Sequence, residues 1–243
     1  MMKMLQLVRN ISMSLLLLGS ASCSGGGDAS PPVAPDSSLT VPLPTAFANI
    51  VNNGIGGAFK ISGWVGNPAS ANPQPSTQVT GSGNLTLGAA SADSFNGAAA
   101  LGAVEVLTGS ITANGQSTAI YNMTNIFYNP SNYTKAGTVE GNVITVFSPY
   151  TIPATVKAGS TGSMGRTADG TLTESYTVAS GDGTSLLVTI IADTYDSFGH
   201  TGQTQTVYRV DTSGNVRLVS ITSQKIASCC STSPYQSMTF TFQ

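Results

Sequence analysis

Residues 171–224 read TLTESYTVASGDGTSLLVTIIADTYDSFGHTGQTQTVYRVDTSGNVRLVSITSQ, and this stretch decides the fold. Within it, Ser185 to Asp193 (SLLVTIIAD) is the most apolar run after the N-terminus. Leu186, Val188, Ile190 and Ala192 alternate with Leu187 and Ile191, so both faces of the run are largely apolar. Such a run fits a central strand covered on both sides. Thr173 to Ala179 precedes it, closed by Ser180-Gly181-Asp182-Gly183. Gln203 to Asp211 and Val216 to Gln224 follow, separated by Asp211-Thr212-Ser213-Gly214-Asn215. Gly and Asn supply the positive φ angles of tight turns. Four strands in succession, with their turns written out, predict an antiparallel meander.

Working outward, Ser237 to Phe242 puts Met238, Phe240 and Phe242 on one face of a last strand. Upstream, strands are expected at Phe59–Val65, Val79–Leu87, Val104–Thr112, Thr118–Tyr128, Val139 and Val143–Phe147. Asn114-Gly115 and Glu140-Gly141-Asn142 are hairpin signals. Pro68, Pro73 and Pro75 mark a long loop, an Ala/Ser/Gly-rich region spans Gly88 to Gly102, and Pro149 and Pro153 break the chain near its middle. Only Thr45 to Asn53 reads as a helix, with Ala46, Phe47, Ile50 and Val51 on one stripe, Thr45 as cap and Gly54 as terminator. About eleven strands in two runs predict an all-β domain. The expected form is a large antiparallel sheet curled into a barrel or half-barrel, with a sandwich as the alternative and the short helix covering one side.

Residues 1–22 read as an export signal: Lys3 and Arg9, then the short apolar core Ile11 to Leu18, then Gly19-Ser20-Ala21-Ser22. With Cys23 next, the stretch resembles a bacterial lipoprotein signal, in which the cysteine is acylated and becomes the first mature residue. Ser20 stands where that pattern has an aliphatic residue. An ordinary secretory signal cut after Ala21 or Ser22 is the competing reading. Ser24-Gly25-Gly26-Gly27-Asp28 opens a Gly/Ser/Pro-rich tether to Leu39. Fully extended it reaches roughly 50 Å, and as a coil ~20 Å. Residues 40–243 then form a single domain at a membrane. Ser24, rather than Asp, after the cysteine implies by the same resemblance the outer membrane.

Charged residues are only 8% of the chain, against a usual ~25%. Removing Lys3 and Arg9 leaves seven basic against eleven acidic residues, a net charge of −4 with no basic run. That excludes nucleic acid and anionic lipid as electrostatic partners. Low charge with much Thr, Val and Ile fits an exported β-protein. The segment Tyr150 to Gly165, its closely spaced glycines, and the hairpin Tyr208-Arg209-Val210-Asp211 resemble a family of uncharacterised proteobacterial lipoproteins. The likeness extends over residues 40 to 225. It implies localisation and an all-β fold, and carries no activity.

Catalytic patterns are sparse. His200 is the only histidine, in a hairpin loop beside Asp193 and Asp196, and no G-x-S-x-G elbow accompanies it. One histidine and few thiols do not make a four-ligand zinc site. Asp193 and Asp196 read as turn formers, not as a calcium loop. No metal or cofactor is expected. The unusual feature is Cys229-Cys230. Adjacent Cα atoms lie 3.8 Å apart, below the ~4.4 Å a disulfide normally needs, so a vicinal bond is strained. A rigid tip closed by that bond, two reduced thiols, and a link to a partner all remain open.

The expected function is non-catalytic. A lipid-anchored envelope protein binds an apolar or small ligand in or on the sheet, with Phe47, Trp64, Tyr208 and Phe240 as candidate lining. The alternatives are a structural or adhesive surface lipoprotein and, behind it, an integral outer-membrane barrel or a hydrolase.

Overall fold

The computed structural model describes residues 38–66, 75–226 and 234–243. The export signal, Cys23, the tether up to residue 37 and the Cys229-Cys230 pair lie outside the described residues. The first half of the chain contains β1 (Thr40–Val41), α1 (Leu43–Asn53), β2 (Ile55–Gly66), β3 (Pro75–Leu87), β4 (Ser91–Phe95), β5 (Ala98–Ala113), β6 (Gln116–Tyr128), β7 (Lys135–Glu140) and β8 (Val143–Val146). The second contains β9 (Val156–Lys157), β10 (Thr161–Arg166), β11 (Leu172–Ser180), β12 (Ser185–Asp196), β13 (Gly199–Asp211), β14 (Val216–Ile226) and β15 (Pro234–Phe242).

Thirteen strands form one antiparallel sheet in the order β10-β11-β12-β13-β14-β15-β2-β3-β5-β6-β7-β8, with β4 paired to the lower end of β5. β1 and β9 make a separate two-stranded ladder. Each half of the chain is a meander, and β15 against β2 joins the two. The sheet is curled, but it is not closed by a ladder. Among the described residues its ends are bridged where Phe147, just after β8, faces Thr167, just after β10. Two hydrogen bonds flank that bridge, Ser148 N to Arg166 O at 2.8 Å and Ala168 N to Val146 O at 3.0 Å. The next residues that could extend it include Pro149 and Pro153, which have no N–H to give.

β12 is central, paired with β11 on one side and β13 on the other. Leu186, Val188, Ile190 and Ala192 face the interior and are at most 2% exposed. On the other face Ile191 is 5% exposed, whereas Leu187 is only half-buried. The expected two-sided cover therefore exists at one end of this strand more than at the other.

The helix starts at Leu43, two residues before the expected Thr45 cap. Pro44 sits in its first turn, where a fixed φ helps and a missing N–H costs nothing, and no side chain caps the start. Thr45 packs instead on the β13–β14 turn, and Asn49 Nδ2 donates to Gly214 O at 2.9 Å. Gly54 ends the helix as expected, its N–H bonded to Ile50 O at 2.8 Å.

Inward side chains form three apolar clusters. The first lies inside β10–β13 and takes in Val41, Leu43 and Ala46. The second holds Phe59, Met238, Phe240 and Phe242, with Phe59 edge-on to Phe240 at 5.1 Å and to Phe242 at 5.7 Å. A Cβ on Gly83 would stand 2.6 Å from the tip of the Phe59 ring and 2.1 Å from Thr108 O, so this filling requires glycine. The third lies under the helix end, around Ile50, Val51, Ala103 and Ile126. Tyr208 packs against all three.

Candidate functional site

Strand alternation puts every second side chain of β5 inside, and Glu105 is one of them, between Ala103 and Leu107. It is 8% exposed, and burial and the charges of Lys135 and Glu140, not hydrogen bonds, set the surroundings of its carboxyl. Burial pushes its pKa up to about 7, against the pull of the Lys135 charge and with a further push from Glu140. Glu174, inward on β11 and 4% exposed, fares differently, because Lys135 Nζ lies 2.7 Å from its Oε1. The same ammonium sits 4.9 Å from the centre of the Phe147 ring. Tyr150 closes this side, accepting the Lys135 N–H at 3.0 Å. Burial, then the nearby carboxylate charges, raises the pKa values of Tyr150 and Tyr208. For Tyr128 burial comes first, followed by Tyr208 and Glu105. The cluster can hold one extra proton on Glu105 and one ion pair. It was not found from sequence. The available signal was a lone Glu in the middle of an apolar strand of a chain with few charges.

The outer wall divides into two parts. On β13, β14, β15, β2 and β3 the outward side chains include Gln203, Gln205, Arg209, Arg217, Thr222, Thr239, Lys60, Ser62, Thr80 and Asn84, with Val207 and Trp64 among them. Arg209 pairs with Asp182, whose pKa is held low by hydrogen bonds from Ser185 and Thr184 and by Arg209. On β5 to β8 the outward rows differ. Val104, Asn125, Val139 and Ile144 stand side by side across four strands, with Val106 opposite Met123 and Thr108 opposite Tyr121. Six of the eight exposed large apolar side chains among the described residues belong to these strands, and all but Val143, which stands opposite Glu140, point outward; Tyr121 and Ile144 are 65% and 61% exposed. The charged residues of β5–β8 are Glu105, Lys135 and Glu140, and none stands in the outward rows. Phe95 of β4 folds over the lower corner, stacked on Phe127 at 4.8 Å, and Asp93 marks that border.

The other two exposed apolar side chains, Tyr195 and Phe198, sit on the β12–β13 hairpin with His200. His200 Nε2 is 3.0 Å from Asp193 Oδ1 but is not aligned as a hydrogen bond; that oxygen accepts from Gln203 Nε2 at 2.8 Å. Among the described residues no nucleophilic hydroxyl hydrogen-bonds to His200. Asp196 accepts the Phe198 N–H at 2.7 Å, the turn-forming part expected of it.

The four aromatic residues singled out in the sequence do not share one space. Phe240 is 2% exposed inside the second cluster, and Phe47 packs on the first from the helix. Tyr208 lies between the clusters. Trp64 points outward, because Phe240 faces Ile61 and Trp64 is three residues further along an alternating strand. Cys23, Cys229 and Cys230 lie outside the described residues. Among the described residues no group of three or more His, Cys, Asp or Glu is placed to hold a metal, and no helix is long and apolar enough to cross a membrane.

No protein-family model matches the chain, and no curated protein does. Among solved structures, a porin-like protein from Bacteroides uniformis is 11% identical, over 77% of this chain and 96% of that one, with a TM-score of 0.24. A similarity of that size transfers neither fold detail nor activity.

Proposed function

We propose that the protein is a lipid-anchored, non-catalytic component of the bacterial envelope, held at the outer membrane through Cys23, which binds an apolar ligand or surface on its sheet. The observation that carries this reading is the gathering of five exposed large apolar side chains, Val104, Tyr121, Met123, Ile144 and Val146, on the outward face of β5–β8. Soluble monomers scatter such residues, and a contiguous patch marks a place of contact. The second cluster is packed with Phe59, Phe240 and Phe242, so the binding face is the outside of the sheet. A bilayer-spanning barrel is disfavoured, because Lys60, Arg209 and Arg217 all point outward on the opposite wall.

The anchor is tested by growing cells with a palmitate analogue and comparing the wild type with Cys23→Ala. Label on the wild type alone is expected. Equal label on both sinks the anchor. The binding face is tested by Met123→Lys in the unanchored Cys23→Ala protein, where it is expected to reduce association with envelope membranes without lowering the melting temperature.

A further inference from the structure

The open face of β5–β8 is four strands wide, which at a strand spacing of about 4.8 Å makes it ~15 Å across. It is the outside of a curled sheet, not a cleft, and its most exposed side chains are of two kinds. Val104 and Ile144 are purely apolar, while Tyr121, whose hydroxyl reaches Met123 Sδ at 4.0 Å, has an apolar ring and a polar tip. No Lys, Arg, Asp or Glu stands in the outward rows, and the Asp93 carboxylate lies at the border, against Gly102. A protein partner of ordinary composition would bring charges that this face cannot pair, and a nucleic acid would bring many more. A neutral lipid surface brings none to the acyl boundary, and Tyr suits its headgroup level. The border carboxylate and the absence of Lys and Arg from these rows weigh against an anionic one.

The chain enters α1 beside the β13–β14 turn and leaves it toward this face. Ser38 precedes β1 and α1, and α1 ends at the β3–β4 connection, where Ala90 N bonds to Val51 O at 2.8 Å. That connection leads directly into the β4–β5 hairpin, which borders the apolar face. The tether expected between Cys23 and Ser38 would span ~20 Å as a coil and roughly 50 Å extended, a reach that lets an anchored domain lay the face on the bilayer.

Given anchoring and surface binding as proposed above, we infer that the outward face of β5–β8, centred on Met123 and Ile144, seats on a neutral lipid leaflet and fixes how the anchored domain is oriented.

Trp64 is the only tryptophan and stands on the polar wall, so it serves as a built-in reference. The mature protein and a Tyr121→Trp variant are purified from the envelope and combined with phosphatidylcholine vesicles carrying brominated acyl chains. The expected result is loss of emission from the added tryptophan and little loss from the parent. A further Met123→Lys, Ile144→Lys double change is expected to abolish the loss while the protein still floats with the vesicles. Both replaced side chains are exposed, and thermal denaturation checks that the variant folds. Vesicle-bound protein in which emission from the added tryptophan is unchanged overturns the inference. So does a dimer, seen by sedimentation, that the double lysine change converts to monomer, because a second copy then covers the face. Quenching without palmitate label removes the anchor and leaves the face; label without quenching does the reverse.

Discussion

The two outer walls of the sheet share a backbone plan and differ in what they turn to the surroundings. Behind both, alternate side chains fill apolar clusters. On β13–β15 with β2 and β3, the outward positions hold Thr, Ser, Gln and most of the outward charges, including Arg209, Arg217 and Lys60. On β5–β8 they hold Val104, Met123, Tyr121 and Ile144. The strand period determines which side chains point out, but it places no demand on their chemistry. A chain with 8% charged residues has few to distribute, and one wall receives nearly none. On the function proposed above, the difference marks the surroundings each wall meets, not a difference in how the halves fold.

The comparison is sharpest where interior and exterior substitutions are set side by side. Phe240→Ala, behind the polar wall, removes a ring packed on Phe59 and is expected to cost ~3–5 kcal/mol in urea unfolding. Lys135→Ala leaves Glu174 buried without its partner and should cost ~3–5 kcal/mol, much of which a Lys135→Met, Glu174→Leu pair restores. Ile190→Ala and Ile120→Ala, each 2% exposed and behind opposite walls, should each cost ~2–5 kcal/mol. A loss confined to Ile190 would mean that the two halves differ inside as well.

Glu105 gives the next effect and a sign that can be checked. Its folded pKa of about 7 lies above its unfolded value near 4.5, so the folded state binds more protons between these two points. Stability is therefore greatest below about pH 4.5 for this group and falls as pH rises through about 7, by ~3 kcal/mol in all. Glu105→Gln should flatten that slope and exceed the wild type above pH 7. An unchanged slope in chemical denaturation from about pH 5 to 8 rejects the assignment. Smallest of all, Met123→Ser and Ile144→Thr should alter stability by within ~0.5 kcal/mol, since both positions are exposed. Their effect belongs in the vesicle measurement alone.

The strongest periodic signals gave the architecture. Ser185–Asp193, with neighbouring turns rich in Gly and Asn, announced the β11–β14 meander, and Asn114-Gly115 and Gly141-Asn142 sit in the hairpins they predicted. β4 and the start of β5 were hidden because Ala, Ser and Gly between Gly88 and Gly102 carry no alternation. β1, β9 and β10 were hidden because they are short or glycine-broken and hold their places through partners distant in sequence. The buried acidic cluster was missed for the same reason: Glu105, Lys135 and Glu174 come from three strands whose nearness only the curled sheet produces. The apolar wall was legible one strand at a time, but not as a surface, because its rows run across strands.

The pairing of β15 with β2 has a consequence in time. β2 is synthesised early and β15 after the other described strands, and the second cluster contains Phe59 and Ile61 from one and Met238, Phe240 and Phe242 from the other. Until that strand arrives, one edge of the first meander stands open and its aromatic filling has no far side. β15 thus completes the second cluster: a chain cut short before Pro234 loses Met238, Phe240 and Phe242 from it and leaves Phe59 and Ile61 without their far side. Proteases that sample unfinished chains would meet such a molecule permanently in its unfinished state, and limited proteolysis of a chain cut just before Pro234 should digest it at β2 and β3 while the full-length protein resists.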